Sequence, residues 1–327
     1  MTTAAQVCAA VATHGEGPLW VPAWGGLHLV DLLAGDVVAL DARTGAVERH
    51  HVGAVVAAVR PRTNGGAVLA LERGFALLDP VERDPAVRPR AVRDPTRPPE
   101  GAAAAPTSES TLAAEVAVRS PFAGAPRVRP DLWPPQVAVR MNDGGCDPDG
   151  RFYCGSMAYD ETPGAGSLYR LDPDGTTTVV LSGVTISNGL AWSPDGTRAY
   201  YVDTPTRRVD VFDYDPGTGL TGRRPWAVVP DGPGVPDGLT VDADGGVWTA
   251  LWGGGAVCRF TGAGQLDGVV ELPVPRVTAC AFGGPALTTL YVTTSRLQTD
   301  TDRYPAAGAV FAVDVGVRGL PVRPFAG

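Results

Sequence analysis

Val235-Pro236-Asp237-Gly238-Leu239-Thr240-Val241-Asp242-Ala243-Asp244-Gly245-Gly246-Val247-Trp248 is one copy of a phrase that recurs along the chain with a different polar residue in the same slot. Counting back eight positions from the glycine of each Asp-Gly turn gives Asn142 before Gly150, Asn188 before Gly196 and Asp237 before Gly245. Glu16, in His14-Gly15-Glu16-Gly17-Pro18-Leu19-Trp20, holds a similar place before the Gly25-Gly26 turn. Outward from these slots the chain reads as pairs of alternating apolar runs separated by turns, the pattern of antiparallel strands. Such pairs occupy residues 26–45, 65–80, 150–175, 196–219, 245–264 and 284–316. Six copies at a spacing of about 40–50 residues fall in the range of propeller blades, each of which buries its faces only against its neighbours. The expectation is an all-β, six-bladed β-propeller formed as one domain by residues 1–327. A stack of unrelated hairpins or a β-sandwich is the competing reading, and the constant offset of the Asp-Gly turns argues against it.

Composition agrees with short strands and many turns. The 327 residues include 42 Gly and 31 Pro, with 19% charged and 44% hydrophobic residues, enough for a core but poor in long helical patterns. A net charge of −8 and a pI near 5.0 disfavour nucleic acid, which selects basic stripes. Residues 1–11 carry no Lys or Arg and read as a strand or tail, not as a secretory leader. No apolar run approaches the roughly 18 residues of a membrane helix, so a cytoplasmic protein without a membrane partner is expected, a monomer or weak homo-oligomer. The five cysteines are odd in number and form no CxxC, which points to free thiols in a reducing compartment. The four histidines show no metal spacing. One segment, 83–135, breaks the rhythm with a density of Pro, Ala and Arg. It reads as an insertion in the second blade, mobile over much of its length, with 111–118 or 136–139 as candidates for the strand that finishes that blade.

In a propeller the innermost strands line the central channel, so equal offsets bring residues to one height around the axis. That ring holds Glu16, Asn142, Asn188 and Asp237, with Ala57 and Thr278 nearest to the address in the two other blades. Two carboxylates and two amide carbonyls, without sulfur or imidazole, suit a hard divalent cation such as Ca²⁺, Mg²⁺ or Mn²⁺. Taken singly, each Asn-Gly or Asp-Gly would be an ordinary turn former. Four at one address, with Glu16 in a Gly-Glu-Gly-Pro setting that has no turn role, favour a ligand ring.

Gly15-Glu16-Gly17-Pro18-Leu19-Trp20, Arg140-Met141-Asn142-Asp143-Gly144, Ile186-Ser187-Asn188-Gly189-Leu190 and Pro236-Asp237-Gly238 resemble the motifs of the senescence-marker-protein/gluconolactonase family, which includes regucalcin and luciferin-regenerating enzyme. Gly150-Arg151-Phe152-Tyr153-Cys154-Gly155-Ser156-Met157 and Cys280-Ala281-Phe282-Gly283-Gly284 extend the likeness to nearly the whole chain outside the insertion. The resemblance implies one divalent metal, Ca²⁺ first with Zn²⁺, Mg²⁺ or Mn²⁺ as alternatives, held by Glu16, Asn188 and Asp237. It also implies that Arg140 and Asn142 contact a sugar lactone and that Asp237 doubles as catalytic base. A further substrate contact in regucalcin-like members is a Glu shortly after the Gly-x-Met motif, and the matching position here is Asp160. The implied activity is hydrolysis of a glucono-type aldonolactone to its acid. A calcium-binding regulatory propeller without turnover, and a related hydrolase acting on another lactone or a phosphoester, are the rival readings.

Overall fold

The computed structural model describes residues 2–81 and 120–327. Among the described residues the strands form six sheets, numbered here as blades 1 to 6 in chain order. Their innermost strands are Gly15–Val21, Val56–Pro61, Val139–Cys146, Ser187–Trp192, Val235–Val241 and Val277–Gly283. Each lies beside the next, and the sixth lies beside the first, so the sheets close into a ring. The six-bladed all-β propeller expected from the repeats is the fold.

Burial follows position in the blade. The innermost strands are buried along almost their whole length, whereas outer strands such as Val47–His51 alternate between half-buried and exposed residues. The apolar positions meet between blades: Val30 and Val37 of blade 1 pack with Val56, Val59 and Leu69 of blade 2, and Phe75 of blade 2 meets Phe152 of blade 3 edge-on. All five cysteines are buried and free, as the sequence predicts. No helix among the described residues is long and apolar enough to cross a membrane.

The N-terminal segment completes the ring. Ala5–Gln6 adds antiparallel to Phe311–Asp314 as the outer strand of blade 6, and Thr2–Thr3 adds parallel to the outer strand of blade 5. Ala4 packs in the core between these blades, and Val7 N–H donates to Val310 O (2.9 Å). The segment read as strand or tail is therefore strand, and blade 6 is assembled from both ends of the chain. At the other end, Phe325 is buried in the core between blades 2 and 3, and its backbone bridges to Arg62.

The insertion needs redrawing. Phe122–Val128 is the outer strand of blade 2, paired with Phe75–Pro80. Phe122 and Trp133 are buried, and Trp133 Nε1 donates to Val139 O (3.0 Å). Residues 120–135 thus belong to the propeller. The Gly and Pro of this strand hid it, because its ladder is irregular between Ala123 and Arg127, which destroys the alternation that marks a strand. Of the two candidate strands, 111–118 lies outside the described residues with the rest of 82–119, and Val139 opens the innermost strand of blade 3.

Because blade 6 is held shut by strand pairing and not by a covalent link, a chain beginning at Val11 should lose the backbone hydrogen bonds and apolar contacts of its fourth strand. At about 1 kcal/mol for each hydrogen bond, denaturant unfolding should show a loss on the order of 3 kcal/mol or more. A midpoint equal to that of the full chain would show that the segment contributes nothing to closure.

Candidate functional site

The ring residues sit at an irregularity common to all six innermost strands. Pairing with the second strand slips between Glu16 and Leu19, Val56 and Ala58, Met141 and Gly144, Ser187 and Leu190, Pro236 and Leu239, and Val277 and Ala279. Ala57, Asn142-Asp143, Asn188-Gly189, Asp237-Gly238 and Thr278 are the bulged residues, and Glu16 immediately precedes the bulge of its strand. A β-bulge re-aims side chains out of the alternating pattern, and here it does so at one height in each blade. The glycines that follow Asn188 and Asp237 are not turn glycines. A Cβ on Gly189 would lie 2.6 Å from Leu239 N, and one on Gly238 would lie 2.5 Å from Ala279 Cβ, so each permits the neighbouring innermost strand to approach.

Glu16, Asn142, Asn188 and Asp237 are all buried, and together with Arg140 they line one cavity of about 100 Å³. The structure therefore brings every predicted ring residue and Arg140 together. A hydrogen-bond chain runs across three blades in one direction. Arg140 Nη1 donates to Asn142 Oδ1 (2.6 Å), Asn142 Nδ2 to Asn188 Oδ1 (2.9 Å), Asn188 Nδ2 to Thr204 Oγ1 (2.8 Å) and Thr204 Oγ1 to Pro236 O (2.8 Å). This network assigns both amide orientations. Asn188 Oδ1 accepts one hydrogen bond and has a second lone pair to offer. Of the two uncharged positions, Ala57 is buried, and Thr278 donates its hydroxyl to Gly15 O (2.6 Å), tying blade 6 to blade 1.

Charge is the unusual feature of the site. Burial, then the negative charges of Asp237 and Asp143, push the Glu16 carboxyl well above the ordinary carboxylate range. Burial and Asp143 push Asp237 up in the same way. Burial raises Asp143 itself and lowers the Arg140 guanidinium from its ordinary value. His14, two residues before Glu16, is lowered to about 3 by burial and by Arg140. Its Nε2 stands 3.7 Å from Glu16 Oε1. Glu16 and Asp237 thus face the buried Arg140 guanidinium across a small space, with the charge of Asp143, itself offset by Arg60, acting on both, an arrangement that favours a proton or a cation between them. Among the described residues no three His, Cys, Asp or Glu side chains form a cation-holding group by themselves. A cation at the ring would depend on amide oxygen from Asn188 as well as on the carboxylates, and this all-oxygen donor set fits a hard divalent ion.

Asp160 is not among the residues that line the cavity. It is exposed, and its Oδ1 accepts from the Thr162 N–H (3.1 Å) and hydroxyl (2.7 Å) in a local turn. The carboxylate on the cavity wall is the next residue, Glu161, whose left-handed backbone (φ 58°) turns the chain at this point. Gln298, at φ 51°, and Leu297 line the wall from blade 6, and Trp252 from blade 5. Sequence reasoning missed Glu161, His14, Asp143, Trp252 and Gln298 as site residues. His14 and Asp143 carried a signal: His14 shares its strand face with Glu16 by period-two alternation, and Asp143 shares a bulge with Asn142. Non-glycine residues in left-handed loop conformations carry none.

With cations removed by chelator, the raised carboxyls predict a defined pH response. A carboxyl whose pKa is higher in the fold than in the unfolded chain contributes stability below its ordinary pKa of about 4. That contribution is lost as pH rises toward the folded value. The melting temperature of the metal-free protein should therefore fall from about pH 4 toward neutrality, and Glu16→Gln should flatten the fall and raise the neutral-pH melting temperature by a few degrees. An unchanged slope in that variant, followed by differential scanning fluorimetry, would locate the pH response elsewhere.

A family model described as "SMP-30/Gluconolactonase/LRE-like region" matches residues 14–296. A pentonolactonase of Haloferax volcanii is 34% identical over 94% of this chain and 92% of its own length. Among solved structures, luciferin-regenerating enzyme has a TM-score of 0.78 at 28% identity, covering 99% of this chain and 100% of that one. A calcium-binding protein, regucalcin, from Agrobacterium tumefaciens has a TM-score of 0.79 at 26% identity, covering 99% and 98%.

Proposed function

The chain belongs to the SMP-30/gluconolactonase/LRE-like family, and we propose that it is a metal-dependent lactonase that opens a small sugar lactone of the aldonolactone type to its acid. The observation that carries this reading is the pairing of a buried carboxylate, Asp237, with a buried guanidinium, Arg140, on the walls of one cavity. A site that only stores a cation needs neither a base nor a second positive charge beside it. The similarity to a pentonolactonase over most of both chains supports the reaction class, and the similarity to a calcium-binding regucalcin supports a divalent ion.

In this reading Glu16, Asn188 and Asp237 hold the ion, and Asn142, Arg140 and Glu161 contact the substrate, with Glu161 in the role first expected of Asp160. A divalent ion so held supplies Lewis acidity, polarising a carbonyl and making a water more acidic. Asp237 takes the proton of the attacking water as its oxygen bonds to the lactone carbonyl carbon, a role matched by a carboxyl whose proton affinity is raised by its surroundings. Arg140 aims its guanidinium at the negative charge that develops on the carbonyl oxygen. Its contact with Asn142 Oδ1 fixes that aim. The ring C–O bond then breaks, and the proton passes to the leaving alkoxide to give the hydroxy acid. A cavity of about 100 Å³ lined by these polar groups together with Trp252, Met157 and Ile186 suits a single small ring.

The test is a pH-stat assay against pentono- and hexonolactones, with the ion removed and restored. Asp237→Asn keeps shape and one ligand oxygen but cannot accept the proton near neutral pH, so kcat should fall about 10²–10⁴-fold while metal content stays at the parent level. Hydrolysis at the parent rate by the loaded variant would place the base elsewhere, with Glu16 as the next candidate. Ion binding without turnover on any lactone would instead favour a binding propeller.

A further inference from the structure

Blades 1 and 4 face each other across the channel, and each carries a buried aspartate at the same place outside the ring. Asp31 pairs with Gly15 across the first two strands of blade 1, and Asp203 pairs with Ser187 across those of blade 4. Both therefore stand opposite the residue just before a ring residue. The corresponding positions of blades 2, 3, 5 and 6 are Leu71, Ser156, Leu251 and Thr294, none of them a carboxylate.

The two aspartates hold equivalent backbone amides, and Asp31 in addition takes Arg49 Nη1 (3.4 Å). Asp31 accepts the backbone N–H of Thr13 through Oδ2 (3.0 Å) and that of His14 through Oδ1 (3.0 Å). Asp203 accepts the N–H of Thr185 through both oxygens, Oδ1 (3.2 Å) and Oδ2 (3.3 Å), and that of Ile186 through Oδ1 (3.0 Å). Measured from the ring residue, the offsets coincide: Thr13 and His14 lie three and two positions before Glu16, and Thr185 and Ile186 lie three and two positions before Asn188. Two charge-assisted bonds from adjacent amides to one carboxylate pin the chain as it enters the innermost strand. Three further facts tie this to the cavity rather than to folding in general. The second residue held in each pair, His14 and Ile186, lines the cavity itself. Both aspartates are buried, at 3% and 7% exposure. Other buried aspartates, Asp147 and Asp242, instead cap the turns that follow their innermost strands, beyond the ring residues.

We infer that Asp31 and Asp203 are a matched pair of positioning residues that fix Glu16 and Asn188 on opposite sides of the cavity and so set the spacing of the donors offered to a cation. The inference rests on the reading of Glu16 and Asn188 as donors to a divalent ion, and it adds that their placement is governed from outside the ring, by two groups that touch neither ion nor substrate.

The experiment measures Mn²⁺ binding to the chelator-treated full chain by calorimetry, well below the melting temperature, for Asp31→Asn, Asp203→Asn and Asp242→Asn. Asn has only one acceptor oxygen and turns an N–H toward the amides, so it loosens the entry segment. Asp242→Asn removes a comparably buried carboxylate far from the ring and reports general destabilisation. Partners that orient metal ligands typically contribute 10–100-fold to affinity, so the first two variants should weaken Mn²⁺ binding about 10-fold while Asp242→Asn stays within about twofold of the parent. Parent-like affinity in both Asp31→Asn and Asp203→Asn, or equal weakening in Asp242→Asn, overturns the inference. If the parent takes up no Mn²⁺, the cation reading is what fails. The same comparison made on kcat/KM for lactone hydrolysis then decides the positioning role, with parent-like values in both ring-side variants counting against it.

Discussion

Six innermost strands close around the axis so tightly that two of them have no room for a side chain facing the next. A methyl group on Gly189 or Gly238 would overlap backbone or Cβ atoms of the following blade. This packing constraint organises the rest of the molecule. The strand bulges where the neighbours meet, the bulge turns the preceding side chain toward the axis, and the residues so turned are Asn188 and Asp237. The Asn-Gly and Asp-Gly pairs that look like turn formers in the sequence are thus the marks of blade contact. The turns proper lie at Gly150, Gly196 and Gly245, where the backbone is left-handed.

Convergence of this kind gathers like charges. Glu16, Asp143 and Asp237 each raise the proton affinity of their neighbours or have it raised by burial, and Arg140 alone among the cavity-lining residues brings a fixed positive charge. A fold selected for stability alone would not keep such a cluster, since apolar residues of similar volume would pack without the desolvation penalty. The residues that surround the cluster oppose its relaxation. The hydrogen-bond chain from Arg140 through Asn142, Asn188 and Thr204 to Pro236 joins three blades, and Thr278 joins blade 6 to blade 1 through Gly15 O. Charge at the centre is thereby held by bonds between blades, and local rearrangement of one strand would break contacts in two.

Much of this was legible in the sequence, because a propeller writes its repeat into the chain. Equal offsets from the Asp-Gly turns located Asn142, Asn188 and Asp237 at one height, and Ala57 and Thr278 were correctly placed at the same address without a polar role at the axis. What escaped has physical causes. The outer strand of blade 2 is interrupted by its own irregular pairing, and the outer strand of blade 6 comes from the other end of the chain, a pairing that no local pattern announces. Counting residues after the Gly-x-Met motif points to Asp160 whereas the cavity wall carries Glu161, because such counting assumes regular backbone and the left-handed Glu161 breaks that assumption. Asp143 stands in the same motif as Asn142, and only the two-residue bulge that contains both brings its charge to bear on the ring.

The division between ring and rim also bears on which parts of such a cavity can change independently of the fold. Every ring residue is placed by the innermost strands, whose positions are fixed by closure, so the polar groups of the ring are tied to the fold. Glu161 and Gln298 stand on loops between strands, in backbone conformations that cost on the order of 1–3 kcal/mol for a non-glycine residue. They persist because neighbouring elements hold them: the turn before Glu161 is fixed by Asp160 and Thr162, and the loop of Gln298 by Ser295, whose hydroxyl accepts the Leu297 N–H (2.9 Å). Loops of this kind tolerate change in sequence and length far better than the strands that anchor them. Substitution at the rim can therefore reshape the cavity wall while leaving Glu16, Asn188 and Asp237 in place, whereas substitution among the ring residues disturbs the contact between blades.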